Sequence, residues 1–113
     1  MTVLVVDDNF QMRLFIKNIV KSLGHNVIEA DDGTTGVKSF LENNPDVVLM
    51  DIRMNTMDGI EAAKIIRQHS PDVKIIMVTD YNDKSMRDKA KSAGANDYVL
   101  KENLLVLKAI LGE

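Results

Sequence analysis

VVLMD, residues 47–51, is the stretch that decides the fold. Four apolar residues run without polar interruption and stop at an aspartate. That is the pattern of a strand buried on both faces of a parallel sheet, where no solvent side imposes alternation. The same pattern recurs on either side of it. VLVV at 3–6 stops at Asp7 and Asp8, and IIMV at 75–78 stops at Thr79 and Asp80. Residues 27–30 and 98–100 read as two further, weaker strands, the second stopping at Lys101.

Between the strands lie helical patterns. Met12, Phe15, Ile16, Ile19, Val20 and Leu23 recur at the spacing of a one-faced helical stripe, and Gly24 ends it. Weaker patterns follow at 34–42, with Val37, Phe40 and Leu41, and at 58–68, with Ala62, Ala63 and Ile66. Residues 83–92 offer only Met86 and Ala90, continued by Ala93, so this helix is expected to be the least firmly held. A last helix is predicted over 103–111, with Leu104, Leu107 and Leu111 on one face.

Five strand-helix alternations imply right-handed crossovers and an α/β three-layer sandwich, a parallel sheet covered on both faces by five helices. The flavodoxin-like strand order 2-1-3-4-5 is a leading arrangement, although periodicity supports the class more strongly than the order. Pro45-Asp46 and Pro71-Asp72 punctuate the entries to the third and fourth strands. Gly33, Gly36, Gly59 and Gly94 read as loop or helix-boundary residues used for backbone freedom.

Bulk properties narrow the function. The 113 residues are 45% hydrophobic but only 4% aromatic, so the core is aliphatic with help from seven methionines. A net charge of −3 argues against a nucleic-acid-gripping surface on this segment. Without cysteine there is no disulfide, thiolate catalysis or cysteine-ligated zinc. The opening MTVLVVDD lacks the form of a signal peptide, and no segment reaches the roughly 20 apolar residues of a membrane span. A soluble, cytoplasmic chain without membrane contact is expected.

In an open parallel sheet ligands sit beyond the carboxyl ends of the strands. Here those ends carry Asp7 and Asp8, Asp51, Thr79 and Asp80, and Lys101. An isolated aspartate after a strand is usually a helix cap or turn residue. The specificity lies in finding these groups at the ends of four strands. Three carboxylates converging at about 5 Å repel by roughly 3 kcal/mol per pair at an effective dielectric near 20, so a cation is expected among them. Hard oxygen ligands favour Mg²⁺, which takes one or two carboxylates plus phosphate oxygens. A Thr79 hydroxyl and a Lys101 ammonium would complete a site for a transferred phosphoryl group, with Asp51 as its nucleophile.

VLVVDDN, VVLMDIRMNTMDG, IIMVTD and AGANDYVLK together resemble the receiver domains of two-component response regulators over practically the whole chain. The resemblance implies a CheY-like phosphoryl-accepting switch rather than an enzyme. Asp51 would take a phosphoryl group from a histidine kinase or phosphotransfer protein. Asp8, Asp51 and the backbone carbonyl of Arg53 would ligate Mg²⁺, with Asp7 acting through a metal-bound water. Thr79 and Lys101 would contact the phosphoryl group. Tyr98 matches the aromatic that changes burial on activation, on a face made by the fourth helix, fifth strand and fifth helix. Homodimerisation on phosphorylation is a further implication. The chain would be a single receiver domain over 1–113, free-standing or excised from a longer regulator with an output domain.

Three positions depart from the family pattern. Asn55 and Glu102 stand where the family usually has proline, which removes the reason for a cis peptide after Lys101. Asp80 stands where a small residue is usual beside the phosphoryl pocket. Arg53 and Tyr81, each two places beyond a site residue, lie where side chains can screen an acyl phosphate from water.

Two other classes compete. One is a phosphorylation-independent pseudo-receiver interaction module that keeps the acidic pocket for structure. The other is a small phosphohydrolase using Asp51, although neither a substrate cap nor the usual second-acid motif is evident. Nucleotide binding is disfavoured, because there is no Walker A sequence and no G-x-G-x-x-G after the first strand.

Overall fold

The computed structural model describes residues 1–112. Its elements alternate as β1 (Thr2–Val6), α1 (Phe10–Ser22), β2 (Asn26–Ala30), α2 (Gly33–Asn43), β3 (Val47–Met50), α3 (Gly59–His69), β4 (Lys74–Thr79), α4 (Lys84–Ser92), β5 (Asp97–Leu100) and α5 (Val106–Leu111). All four strand pairings are parallel, in the order β2-β1-β3-β4-β5. The flavodoxin-like order is therefore the one the chain adopts.

Alternation along each strand builds two cores. Leu4, Val6, Val48, Met50, Ile75 and Met77 face one way and meet Phe40, Ala62, Ala63, Ile66, Ala90 and Ala93 of the α2, α3 and α4 layer. Val3, Val5, Val47, Leu49, Ile76 and Val78 face the other way, against Ile16, Ile19, Val20, Leu104, Leu107 and Leu111. Both faces of the sheet are thus dry, which is why the strands read as apolar runs. Among the described residues no helix is long and apolar enough to cross a membrane.

The structure refines several expectations. Phe15 is 54% exposed and Leu41 52%, while Ile16 and Phe40 beside them are buried. Each lies at the edge of its stripe, where the 100° step per residue carries it past the sheet. The helix predicted over 103–111 is α-helical only from Val106. It is preceded by a 3₁₀ turn at Lys101–Asn103 and by i to i−3 bonds from Leu107 N to Leu104 O and Lys108 N to Leu105 O. Leu105 offers no side-chain cap, so tighter turns satisfy the start. Helix α4 buries only Ala90, the fewest residues of any α-helix here.

Backbone freedom explains Gly94, whose φ is +103°, but not Gly59. A Cβ at Gly59 would lie 1.8 Å from the Asp51 carbonyl oxygen. That glycine permits a close approach of α3 to the end of β3, as its N–H donates to the Ile52 carbonyl at 2.7 Å.

Candidate functional site

Strand register places the polar groups. Val6 pairs with Met50, so Asp7 and Asp51 leave the sheet side by side, and Asp51 N donates to Val6 O at 3.0 Å. Met50 pairs with Met77, so β4 runs two residues further to Thr79, and Thr79 pairs with Leu100, immediately before Lys101. Four strand ends therefore deliver Asp7, Asp51, Thr79 and Lys101 to one edge of the sheet.

Burial singles out the same residues. Among the described residues the buried polar ones are Asp7 (1% exposed), Asp51 (7%) and Thr79 (0%). Carboxylate oxygens of Asp7, Asp8 and Asp51 lie within 4.8 Å of one another, with Asp8 exposed. The Lys101 ammonium reaches two of them, at 2.9 Å from Asp7 Oδ2 and 3.2 Å from Asp51 Oδ2. Among the described residues that ammonium is the one close partner of Asp7 Oδ2, which is otherwise buried without a hydrogen bond. Asp51 Oδ1 accepts from its neighbour Ile52 N at 2.8 Å.

The electrostatics follow. Burial raises the Asp51 pKa to about 6; Lys101 opposes the rise and the Asp7 charge adds to it. Burial also works against the Lys101 ammonium, but its pairing with Asp7 and Asp51 outweighs that and holds its pKa above the ordinary lysine value. The pocket is thus rich in negative charge held in check by one lysine.

The rim has its own structure. Thr79 Oγ1 accepts from Tyr81 N at 3.3 Å, which leaves the hydroxyl proton free to donate. Tyr98, half-buried, donates its hydroxyl to Tyr81 O at 2.7 Å, with the Arg87 guanidinium 4.5 Å from its ring centroid. Arg53 stacks on Tyr81 at 5.1 Å, so these two rim residues touch each other. Asp80 is exposed and stands outside the carboxylate group. Asn55, Thr56 and Glu102 are exposed, and Thr56 carries a positive φ of 63°.

Reading the sequence alone missed Asn9 and Arg13. Asn9 caps α1 by accepting from Met12 N, while its own N–H donates to Asp7 Oδ1 at 2.8 Å. Arg13 donates from Nη1 to the Asp7 carbonyl at 2.6 Å and from Nε to Glu29 at 3.1 Å. A cation in the first turn of a helix runs against the helix dipole, and that was the available signal.

Comparison with known proteins agrees with this geometry. A family model described as the response regulator receiver domain matches residues 3–110. The chemotaxis protein CheY of Bacillus subtilis (strain 168) is 42% identical over 100 residues, covering 88% of this chain and 83% of that protein. The chemotaxis protein CheY of Thermotoga maritima is 40% identical over 100 residues, with the same coverage of each chain. The crystal structure of the response regulator domain of Thermotoga maritima CheB superposes with a TM-score of 0.89 at 31% identity. It covers 98% of this chain and 92% of that one.

Proposed function

The chain belongs to the response regulator receiver domains of two-component signalling, and from that premise we propose that it is an active phosphoryl-accepting switch with Asp51 as the acceptor. The observation that carries this reading is the burial of Asp7 and Asp51 on the ammonium of Lys101, with Thr79 buried at the same edge of the sheet. Structural need alone gives no reason to converge two buried carboxylates on one lysine, because such charge is costly to desolvate.

The donor set suits a hard divalent cation: three carboxylates within 4.8 Å, two of them buried and sharing a single lysine ammonium. Asp8, Asp51 and the Arg53 carbonyl would hold Mg²⁺, with Asp7 acting through a bound water. The ion would supply neutralisation of charge on the transferred phosphoryl oxygens.

The chain's own residues do the rest. With a pKa near 6, Asp51 is mostly ionised at neutral pH. Its carboxylate oxygen bonds to phosphorus as the donor's N–P bond breaks, the donor being the phosphohistidine of a kinase or phosphotransfer protein. Lys101 moves from Asp51 Oδ2 to the phosphoryl oxygens, and Thr79 donates the proton that no neighbour claims. About two new negative charges then pull Thr79 inward, and the attached β4–α4 loop passes the change to Tyr98 and the α4–β5 face. Inverting a 1:99 equilibrium fully requires about 5.5 kcal/mol of preference for the active state. The chain is read as one receiver domain, acting in the cytoplasm.

Intact mass after incubation with acetyl phosphate and Mg²⁺ tests the reading. A gain of about 80 Da is expected, absent with EDTA and absent in Asp51→Asn. No gain, together with no binding of beryllofluoride, would replace the switch by a phosphorylation-independent interaction module.

A further inference from the structure

We propose that Arg13 is a positioning residue for the metal-binding carboxylates, a guanidinium strut that fixes the β1–α1 turn bearing Asp7 and Asp8. The proposal rests on reading Asp7, Asp8 and Asp51 as a Mg²⁺ site.

Asp8 is exposed, and among the described residues no hydrogen bond holds its carboxylate. Its aim is therefore set by the backbone on either side of it. That backbone is tied at four points: Asp7 N to Ala30 O at 3.2 Å, Asn9 N to Asp7 Oδ1 at 2.8 Å, Arg13 Nη1 to Asp7 O at 2.6 Å, and Arg13 N to Asn9 O at 2.9 Å. The third is the one made by a side chain from outside the turn, and it is the shortest.

Arg13 is itself held at its other edge. Its Nε donates to Glu29 on β2, and Lys17 grips the second oxygen of Glu29 at 2.9 Å. The side chain is only 14% exposed, with the Phe10 ring 5.6 Å from its Cζ. A planar guanidinium can hold a carbonyl and a carboxylate at fixed mutual geometry, which a lysine ammonium on a flexible stem cannot. The strut thus runs from β2 through Arg13 to the end of β1.

A plain surface ion pair of α1 with β2 predicts something else. Such a pair contributes about 0–1 kcal/mol to stability and leaves the site unaffected. The signs also differ. Arg13 is a cation near a cation site, so as a mere charge it opposes Mg²⁺ and its removal would tighten binding. As a strut, its removal loosens binding. Loss of a group that orients metal ligands typically costs 10–100-fold in metal affinity.

The experiment is a Mg²⁺ titration followed by ¹H–¹⁵N NMR on the wild type, Arg13→Ala, Arg13→Lys and Lys17→Ala. Thermal melts in EDTA accompany it. Arg13→Ala is expected to bind Mg²⁺ about tenfold more weakly while remaining folded. Arg13→Lys should fall between it and the wild type. Lys17→Ala, which strips the other cation from Glu29 without touching Asp7, should stay within about twofold of the wild type. Unchanged or tighter binding by Arg13→Ala overturns the proposal, as does an equal loss in Lys17→Ala. Should Arg13→Ala fail to fold, Glu29→Gln carries the test by freeing the far end of the strut. Weaker Mg²⁺ binding is then expected, and unchanged binding overturns the proposal. A wild type that binds no Mg²⁺ instead removes the metal-site reading and the strut with it.

Discussion

At the β1–α1 turn, Asp7 is 1% exposed, and its amide, carbonyl and one carboxylate oxygen are all hydrogen-bonded, mostly to backbone or to a guanidinium. Across the site, the β4–α4 loop presents Asp80, Asn82 and Asp83 to solvent. That loop is fastened by side chains: Thr79 to Tyr81 N at 3.3 Å, Tyr98 to Tyr81 O at 2.7 Å, and Arg87 to Asn82 Oδ1 at 2.7 Å. Its ties come from the end of β4, from β5 and from α4, the helix with the fewest buried residues among those described. One wall of the pocket is anchored in the core, and the other, beyond the buried Thr79, hangs from exposed or half-buried side chains. Regions held in the second way open at low free-energy cost. A charge placed on Asp51 therefore meets resistance on the β1 side and compliance on the β4 side.

The strongest test of the anchored wall is to remove its counter-charge. Lys101→Met leaves Asp7 and Asp51 buried without a cation, and breaking a buried pair this way costs about 3 kcal/mol or more. Urea denaturation at pH 8 in EDTA should show that loss, and added Mg²⁺ should restore part of it. An unaltered midpoint would mean the lysine does not restrain the pocket.

Asp51→Asn should act in the opposite direction. Its folded pKa near 6 lies above the ordinary value of 3.8, so between those values the folded state holds the extra proton and stability falls as pH rises. Above pH 6 the full penalty is present, and Asn removes it. The variant should be more stable in EDTA by on the order of 2 kcal/mol at pH 7.5 and equal to the wild type near pH 3.5. A pH-independent difference would show that burial of the charge is not its cause.

The compliant wall is probed more gently by Tyr98→Phe, which removes one hydroxyl bond to Tyr81 O, a net loss of about 1 kcal/mol. Amide hydrogen exchange should accelerate at residues 80–83 and stay unchanged at 7–9. Equal acceleration in both turns would dissolve the contrast between the walls.

Much of this arrangement was legible in the sequence. Dry strands on both faces leave uninterrupted runs such as VVLM, and each run ends where a polar residue meets the pocket, so strands and site residues were visible together. The strand order was less legible, because it depends on contacts between runs and not on any one run. Phe15 and Leu41 were misjudged because a stripe shows which side is apolar but not how wide the sheet beneath it is. Arg13 showed only as a cation in a first helical turn, and neither its partner nor the reason for Gly59 could be read. Both depend on where a carbonyl oxygen from another element falls, at 2.6 Å from a guanidinium in one case and against an absent Cβ in the other.

Asp80 gives the smallest and sharpest test of how the compliant wall meets solvent. Its carboxylate is exposed and lies outside the group formed by Asp7, Asp8 and Asp51. What it can do is repel an approaching dianion. A unit charge at the rim, in a high dielectric, contributes about 0.5 kcal/mol, or roughly a twofold change in rate. Asp80→Ala should therefore accelerate phosphorylation by acetyl phosphate about twofold at low ionic strength. Asp80→Asn, which keeps the size and loses the charge, should match it. Near 0.5 M salt the three proteins should converge, because the Debye length is then only about 4 Å. Acceleration by Ala alone would make the effect steric, and an unchanged or slower rate in both variants would leave Asp80 without influence on the pocket.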